Sequence, residues 1–439
     1  MKKNTVIQVA CKSLVLLGGL AFLFPSHAGA ESYSAGFYTR GVDAAYYLDS
    51  GDPVYDPFYV PAQRWALVPR LSISVSAEQT GDLSMDPDRT RSATIIRVIP
   101  GAMLIWGRPE ARHLYLDYGL SIPAYTISGD FSDDPSHLLM LGGVFRTQKS
   151  QLHARFGFRR IEDLDTLVGA RILKQDYVAD VAVDHRVSTR TSVGVLGAYE
   201  RHRFSADRFL GYDRLYGAAR VYYDLSVKSQ LFLQGGMGHD DVESNPEGYG
   251  NIDFHDVSVG MRGKPMPKTS VSGRVGYQWR THDDDLRDDL ERWIASLSAN
   301  VNPLGFTTFS GTLYADLRPA IQEPGTTVID QRVSVGAARR IVTNRLRGQA
   351  NVHAGQIEYR GPIREPAQRE TDFSLVYDRR QDEYWGYSLG LNYSAKHHVS
   401  FGLSYAYTEN RAARDADRDV QRAASDDSGL WTIRFSWNY

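Results

Sequence analysis

The end of the chain alternates strictly between two kinds of side chain. Every second residue from Trp431 to Tyr439 is apolar or aromatic, and the residues between them are polar. Successive side chains of an extended strand point to opposite faces, so this segment would have one oily face and one polar face. The oily face comprises Trp431, Ile433, Phe435, Trp437 and Tyr439.

The same alternation recurs along most of the chain from Trp65 onward. About eighteen such runs can be read, each long enough to cross a bilayer as a tilted strand. They include the runs 229–239, 306–318, 328–341 and 371–394. Short connectors such as 188–190 alternate with longer ones such as 240–251 and 318–327. This rhythm predicts an all-β fold, a transmembrane antiparallel β-barrel of about 18 strands over residues 65–439, with both ends on the periplasmic side.

A secreted β-sandwich or propeller is the competing all-β fold, and it would bury the apolar faces in a core. The run from Leu215 to Tyr223 argues against it, because small residues are scattered along its apolar face. That face carries Leu215, Gly217, Ala219, Val221 and Tyr223. Small residues between large ones, with aromatic residues at strand ends, favour contact with lipid.

The first 30 residues have the composition of a cleaved secretory signal peptide. A positively charged start and an apolar core precede the small residues Ala28-Gly29-Ala30, which a signal peptidase accepts. The mature protein is then expected to begin at Glu31. The only cysteine, Cys11, lies in the leader, so neither a disulfide nor a thiolate ligand is predicted.

Residues 31–64 are rich in tyrosine, proline, glycine and aspartate and lack a sustained period. Prolines at 53, 57 and 61 argue against a central strand. Two interpretations stay open for this segment. It is either a periplasmic N-terminal segment or a small plug that folds into the barrel.

Composition excludes two other classes of protein. The mean hydropathy of −0.37 and the lack of a long apolar run after residue 30 exclude a helical membrane protein. The formal net charge of −2 offers no basic surface, so no nucleic-acid partner is expected. The 26 tyrosines suit a membrane interface, where the ring lies in lipid and the hydroxyl in water.

Charged residues of the strands are expected to point into the barrel, because an arginine facing lipid at mid-membrane costs about 2–4 kcal/mol. The candidates for the lumen wall are Arg214, Arg220, Asp224, Arg262, Arg274, Arg280, Arg292, Asp316, Arg332, Arg347 and Arg434. A wall of arginine and tyrosine would suit anionic or polyhydroxylated solutes. Alternatively, these residues form ion pairs that only brace the barrel.

No pattern predicts an enzyme, a cofactor or a metal site. The histidines of the mature chain are dispersed, and the chain has no Gly-x-Ser-x-Gly motif. Aspartates at 130, 133 and 134 and at 283–285 would lie in outer loops. Calcium binding is a possible role for them, but they lack EF-hand spacing, and solvated loop tips are the simpler interpretation.

Two segments carry a resemblance to a known family. The segment Arg64 to Arg70 enters the first strand, and the segment Arg434 to Tyr439 closes the last one. With the leader and the strand spacing, the chain resembles the beta-barrel porin type 2 family, although Glu78-Gln79-Thr80-Gly81-Asp82 replaces the Asp-Asn that usually follows the first strand there. The resemblance implies an outer-membrane barrel associated with exopolysaccharide export. The terminal aromatic strand also resembles the signal read by the barrel-assembly machinery, which assigns that role to Trp431, Ile433, Phe435, Trp437 and Tyr439.

Three functions follow as hypotheses. The leading one is an outer-membrane channel for export of an exopolysaccharide, with periplasmic polysaccharide export proteins, the barrel-assembly machinery, outer-membrane lipid and lipopolysaccharide as partners. The alternatives are a diffusion porin with an inward-folded constriction and a closed barrel with a structural or surface role. None of the three involves chemistry.

Overall fold

The computed structural model describes most of the predicted barrel domain. The described residues are 65–81, 90–108, 112–125, 135–165, 170–205, 210–243, 251–283, 289–320, 327–342, 345–360, 381–396, 399–412 and 426–438. The predicted leader (1–30), the segment 31–64 and Tyr439 lie outside them. So do the predicted loop aspartates, except for Asp283.

The described residues form eighteen β-strands. The first nine are β1 (Trp65–Gly81), β2 (Thr90–Arg108), β3 (Arg112–Tyr125), β4 (Ser136–Arg146), β5 (Ser150–Asp165), β6 (Ala170–Arg186), β7 (Thr191–Phe204), β8 (Tyr212–Ser226) and β9 (Ser229–Val242). The others are β10 (Ile252–Met266), β11 (Thr269–His282), β12 (Leu290–Val301), β13 (Thr307–Pro319), β14 (Thr327–Val342), β15 (Leu346–Arg360), β16 (Gln381–Lys396), β17 (Val399–Ala412) and β18 (Asp426–Asn438).

Each strand pairs antiparallel with its neighbours in sequence, and β1 also pairs with β18 along Arg70–Thr80. The sheet is therefore a closed barrel, and closure gives every strand a partner on both sides. The predicted fold class, an antiparallel barrel of about 18 strands, is confirmed. No helix among the described residues is long and apolar enough to cross a membrane.

The two faces of the sheet differ as the alternation predicts. Apolar residues of one face are exposed, such as Leu215 and Ile433, each with 62% of its surface accessible. On the other face, Arg262 of β10 lies 3.7 Å from Asp184 of β6. These two strands are four positions apart in the sheet, so the contact crosses the inside of the barrel. The polar face is therefore the inner face, and the exposed apolar face is the outer surface.

The outer surface carries clusters of aromatic rings. On β11 and β12, the ring of Tyr277 lies 5.0 Å from that of Trp279 and 5.3 Å from that of Trp293. On β17 and β18, the rings of Tyr405 and Trp431 are 4.5 Å apart. Rings with a polar edge favour the boundary between lipid and water, so these clusters match the level of the lipid head groups.

Some predicted boundaries were wrong. Asp240 was expected in a loop, but it belongs to β9, which ends at Val242. Arg318 and Thr327 were also expected in a connector and belong to β13 and β14. In all three cases the backbone pairing includes these residues, in the pairs Ile252–Asp240, Arg318–Val328 and Pro319–Thr327. The first ten residues of the predicted strand 371–394 lie outside the described residues.

Adjacent residues on β17 test the assignment of faces. Leu403 lies on the outer surface with 43% exposure, and Ser404 is on the inner face. We expect Leu403→Arg to lower the free energy of unfolding by about 2–4 kcal/mol, because it places a guanidinium in lipid. Ser404→Arg is the matched control, and its effect should be much smaller. Urea-induced unfolding in lipid vesicles measures both, and equal losses would contradict the assignment.

Candidate functional site

The outer end of the hairpin β13–β14 leaves the barrel wall. The ladder between β12 and β13 stops at the pair Ala295–Ala315. The ladder between β13 and β14 continues to the pair Pro319–Thr327. The end of β13 therefore follows β14 and separates from β12. Residues 316–320 and 327–330 are called the inserted hairpin below.

The inserted hairpin lies inside the barrel. Leu317 and Ile329 are a pair on the face that forms the outer surface lower in the same strands. Their exposed fractions are nevertheless only 1% and 3%. The side chains that contact this face come from the inner wall, because the hydroxyl of Thr327 is 3.5 Å from Nε2 of His282 on β11. The outer face of the hairpin has thus turned onto the inner face of β11, two strands away in the sheet.

Two arginines of the inner wall bind the backbone of the inserted hairpin. The carbonyl of Leu317 accepts hydrogen bonds from Nη2 of Arg280 at 2.7 Å and from Nη2 of Arg214 at 3.5 Å. This carbonyl belongs to the part of β13 that has no ladder with β12. A buried carbonyl without a partner is costly, so the arginines stabilise the separation of the two strands.

Asp240 holds both arginines in place. Its carboxylate accepts two hydrogen bonds from Arg214, at 2.6 and 2.9 Å, and its Oδ2 is 3.3 Å from Nη2 of Arg280. The side chains of Asp240 and Arg280 are fully buried. Because charged groups without partners are very costly in the interior, the three residues depend on one another.

A fourth contact ties the hairpin region to the wall. Arg292 on the inner face of β12 lies 3.8 Å from Glu358 of β15, with 41% and 24% of the two side chains exposed. Glu358 pairs with Ile329, so it belongs to the outward-facing side of β15. The outer end of β15 therefore also bends inward and lies on the lumen side of β12.

The other face of the hairpin carries a cluster of charged residues. Asp330 lies 3.3 Å from Nη2 of Arg318 and 3.4 Å from Nη2 of Arg332. Tyr384 of β16 accepts a hydrogen bond from Nε of Arg332 at 2.9 Å and donates one to Asp330 at 3.4 Å. Asp316 accepts a hydrogen bond from Tyr314 at 3.1 Å. The residues Asp316, Arg318, Asp330, Arg332 and Tyr384 are called the constriction cluster below.

Apolar packing fixes the same region from the side of β15 and β16. A buried group joins the hairpin to the inner faces of these strands, and it comprises Ala320, Val328, Ile357, Tyr359 and Tyr384. Each of its members is at most 6% exposed. The inserted hairpin therefore has a hydrophobic core on one side and the Asp240 ion pairs on the other, which makes it a rigid element of the wall.

Arginines and carboxylates of the inner wall differ in their access to solvent. At the constriction cluster, 34% of the Arg332 side chain is exposed, against 4% of Asp330. The same order holds for the pairs Arg318–Asp330, Arg155–Asp180, Arg214–Asp240 and Arg274–Asp256. Arg262 and Asp184 differ from this rule, at 25% and 32%. In five of these six pairs, the arginine is therefore the partner that is more accessible from the lumen.

By the registers of their strands, all eleven candidates for the lumen wall lie on the inner face. Several of them have buried partners within the wall. Arg220 donates to Gln234 at 2.6 Å, Asp224 accepts from Gln230 at 2.6 Å, and Arg274 lies 3.6 Å from Asp256. Arg262 also stacks on Tyr222 at 4.4 Å. Direct contact with a passing solute is therefore open to Arg332, Arg292 and Arg262 more than to the buried members.

The remaining candidates are spread over the barrel. Arg347 on β15 and Arg434 on β18 lie on the inner face, away from the constriction cluster. Trp431 and Ile433 lie on the outer surface with 53% and 62% exposure. The role of the last strand in barrel assembly stays a prediction.

Sequence reasoning missed Asp330 and Tyr384, the two central members of the constriction cluster. Asp330 has the same parity as Arg332 in the alternation of β14, so the period of two could have found it. Tyr384 has no such signal, because tyrosines occur on both faces. Asp240 was missed because the apolar alternation of β9 ends before it. Among the described residues, no group of histidine, aspartate and glutamate side chains could hold a metal ion.

No protein-family model and no curated protein matches the sequence. Among solved structures, the chain is similar to the outer membrane protein OpdK from Pseudomonas aeruginosa, with 13% identity and a TM-score of 0.44 over 85% of this chain and 99% of that one. It is also similar to OccAB4 from Acinetobacter baumannii, with 11% identity and a TM-score of 0.43 over 86% and 99%.

A bacterial polysaccharide outer membrane secretin has 10% identity and a TM-score of 0.33 over 84% of this chain and 98% of that one. No function is transferred at these levels of similarity. The closed sheet with its apolar outer surface and polar interior is the form in which strands cross a membrane. The chain is a β-barrel of the bacterial outer membrane.

Arg280 and Arg292 should differ in how much they contribute to the free energy of unfolding. Arg280→Met removes the 2.7 Å hydrogen bond to the buried Leu317 carbonyl, while Asp240 keeps its ion pair with Arg214, so we expect a loss of about 1–3 kcal/mol in the free energy of unfolding. Arg292→Met removes a partly exposed partner, and its loss should be about 0–1 kcal/mol. Urea-induced unfolding in vesicles compares the two variants. A loss for Arg280→Met no larger than that for Arg292→Met would contradict the structural role of the Asp240 group.

Proposed function

We propose that the protein is a passive diffusion channel that favours small anionic solutes. The observation that carries the proposal is the inserted hairpin, which narrows the inside of the barrel and presents the constriction cluster to the lumen. The greater exposure of the arginines relative to their carboxylates supports the preference for anions.

The inner wall would bind an anion through guanidinium donors that the internal ion pairs leave unused. An anion that reaches Arg332 meets a guanidinium whose carboxylate partner is buried and whose own side chain is one-third exposed. Arginine offers more donors than one carboxylate can use, so a solute could bind while the internal pair persists. Binding of this kind is weak and reversible, which lets the solute leave again. No covalent step is involved, and the proposed protein is not an enzyme.

Export of an exopolysaccharide, the leading hypothesis from sequence, stays a prediction. A hairpin packed inside the barrel reduces the space in the lumen, which favours passage of small solutes over passage of a polysaccharide. Deleting the gene in its host separates the two functions. Loss of surface polysaccharide with accumulation in the periplasm would replace our proposal, whereas unchanged polysaccharide with slower uptake of small anions would support it.

Ion selectivity tests the role of Arg332. The mature protein in a planar bilayer should conduct steadily, and its reversal potential in a KCl gradient should show preference for chloride. Arg332→Gln should reduce that preference, because it removes an accessible positive charge from the constriction cluster. Arg339→Gln is the control, since Arg339 lies on the opposite face of the same strand. A barrel that never conducts would support the closed structural alternative.

Conductance tests the role of the hairpin as a constriction. The double variant Arg214→Met/Arg280→Met removes both donors to the Leu317 carbonyl. We expect a larger single-channel conductance, because the hairpin would no longer be held against the wall. Arg159→Met is the control, because it removes a buried arginine whose partner Asp176 lies on the neighbouring strand. Unchanged conductance in a folded double variant would show that the hairpin does not limit ion flow.

A further inference from the structure

Short turns join the strands at the end of the barrel where the chain enters β1. Trp65 starts β1 and is level with Trp106, two residues before the end of β2. Because successive strands run antiparallel, the turns β4–β5, β6–β7, β8–β9, β10–β11, β12–β13 and β14–β15 all lie at this same end. The residues that precede Trp65 therefore meet the barrel among these turns.

Five of these six turns carry an exposed lysine or arginine at an equivalent position, directly before the next strand. The backbone carbonyl of each such residue accepts a hydrogen bond of 2.7 to 2.8 Å from a backbone N–H at the end of the neighbouring strand or directly after it. This bond fixes the backbone of the cation. The five residues are Lys149, Arg190, Lys228, Lys268 and Arg345. In the turn β12–β13, Phe306 occupies this position.

Lys149, Arg190, Lys228 and Lys268 belong to four consecutive turns and are called the basic rim below. Neighbouring members are two strands apart, which corresponds to about 10 Å. Among the described residues of these four turns and of the two adjoining positions of each strand, none is an aspartate or a glutamate. The basic rim is therefore a row of regularly spaced positive charges.

Exposed apolar side chains accompany the basic rim. In the turn β6–β7, Val187 is 63% exposed, and in the turn β8–β9, Val227 is fully exposed. Met266, at the end of β10, is also 63% exposed. A row of positive charges next to apolar side chains fits a partner that is both acidic and aromatic.

The sequence directly before β1 has this composition. Residues 31–64 include five acidic residues, two arginines and eight aromatic residues. Asp52 and Asp56 each precede a proline, which biases them towards an extended backbone. In an extended chain, Asp49 and Asp52 would be about 10 Å apart, and Asp52 and Asp56 about 13 Å. These separations are close to the spacing of the basic rim.

The connection to β1 is long enough for this segment to reach the rim. Asp56 precedes Trp65 by nine residues, so an extended link spans about 30 Å. Lys149 lies three to four strands from β1, about 20 Å along the rim. In the other direction around the barrel, Arg345 is followed by Phe306, so that side offers no consecutive cations in this series.

We propose that the basic rim is the docking surface for residues 49–59 of this same chain, which bind along the turns outside the lumen. Tyr55, between two of the aspartates, covers Val187. The segment shields the apolar side chains of the turns from water and leaves the lumen open. The inference is independent of the proposed channel function. The proposed ion pairs are Asp56–Lys149, Asp52–Arg190 and Asp49–Lys228.

Disulfide cross-linking measures where the segment lies. The only cysteine, Cys11, is in the predicted leader, so a disulfide in the mature protein joins introduced residues. Val54→Cys is combined either with Thr189→Cys, next to Arg190, or with Leu304→Cys, on the turn β12–β13 six strands away. Oxidation of the folded protein with copper phenanthroline should give about tenfold more disulfide in the first pair, because docking raises the local concentration of the two thiols.

A charge swap tests the ion pairs. Arg190→Glu in the Val54→Cys/Thr189→Cys protein should lower the disulfide yield about threefold, because it places two negative charges side by side. Arg345→Glu is the control, since it reverses an equivalent charge outside the basic rim. Adding Asp52→Lys to Arg190→Glu should restore the yield, which an effect on folding alone would not do. An unchanged yield in Arg190→Glu would overturn the proposal.

Three further outcomes would contradict docking on the rim. Equal disulfide yields with Thr189→Cys and Leu304→Cys would mean that the segment has no fixed position. A higher yield with Ser334→Cys, on the inner face of β14, would mean that the segment is a plug inside the barrel. Loss of the Thr189→Cys disulfide on transfer from neutral detergent to vesicles that contain phosphatidylglycerol would assign the basic rim to lipid phosphates instead.

Discussion

Backbone hydrogen bonding in lipid is the constraint on which this structure depends. A membrane offers no water to a free backbone group, so strands can cross only in a closed sheet. The pairing of β1 with β18 meets this demand around most of the barrel. At the outer ends of β12 and β13 the ladder stops early, and there the Leu317 carbonyl binds Arg280 and Arg214. At this position, arginine side chains donate the hydrogen bonds that a neighbouring strand donates elsewhere in the barrel.

The replacement of a strand–strand hydrogen bond by arginine side chains links the architecture of the barrel to its proposed function. Asp240 forms ion pairs with both arginines, and both arginines donate hydrogen bonds to the Leu317 carbonyl. The end of β13 can therefore leave the wall without a buried carbonyl that lacks a partner. The hairpin then packs inside the barrel, where the buried Asp330 binds Arg318 and the more exposed Arg332. The ion pairs of the inner wall serve two purposes in this view. Their buried carboxylates hold the structure together, and their more exposed guanidinium groups form the surface that a solute meets.

Much of the fold could be predicted from the sequence because the relevant signal is local. A period of two separates the lipid face from the inner face, and the cost of an arginine in lipid fixes which face is which. The inner position of Arg220 and Arg274 follows from these two facts alone. The inner positions of Ser334, Asn351 and Ser388 obey the same alternation. Which of them lie next to one another depends on the register between strands, which residue types alone do not specify.

The sequence by itself determined an antiparallel barrel of about 18 strands and the inner face of the eleven charged residues chosen as candidates for the lumen wall, since these depend on residues a few positions apart. Only the tertiary structure decided that the end of β13–β14 turns inward. The alternation would place Leu317 in lipid, yet it is buried at 1% exposure. Its contacts with Arg214 and Arg280 join residues 103 and 37 positions apart, and no local pattern encodes such a distance.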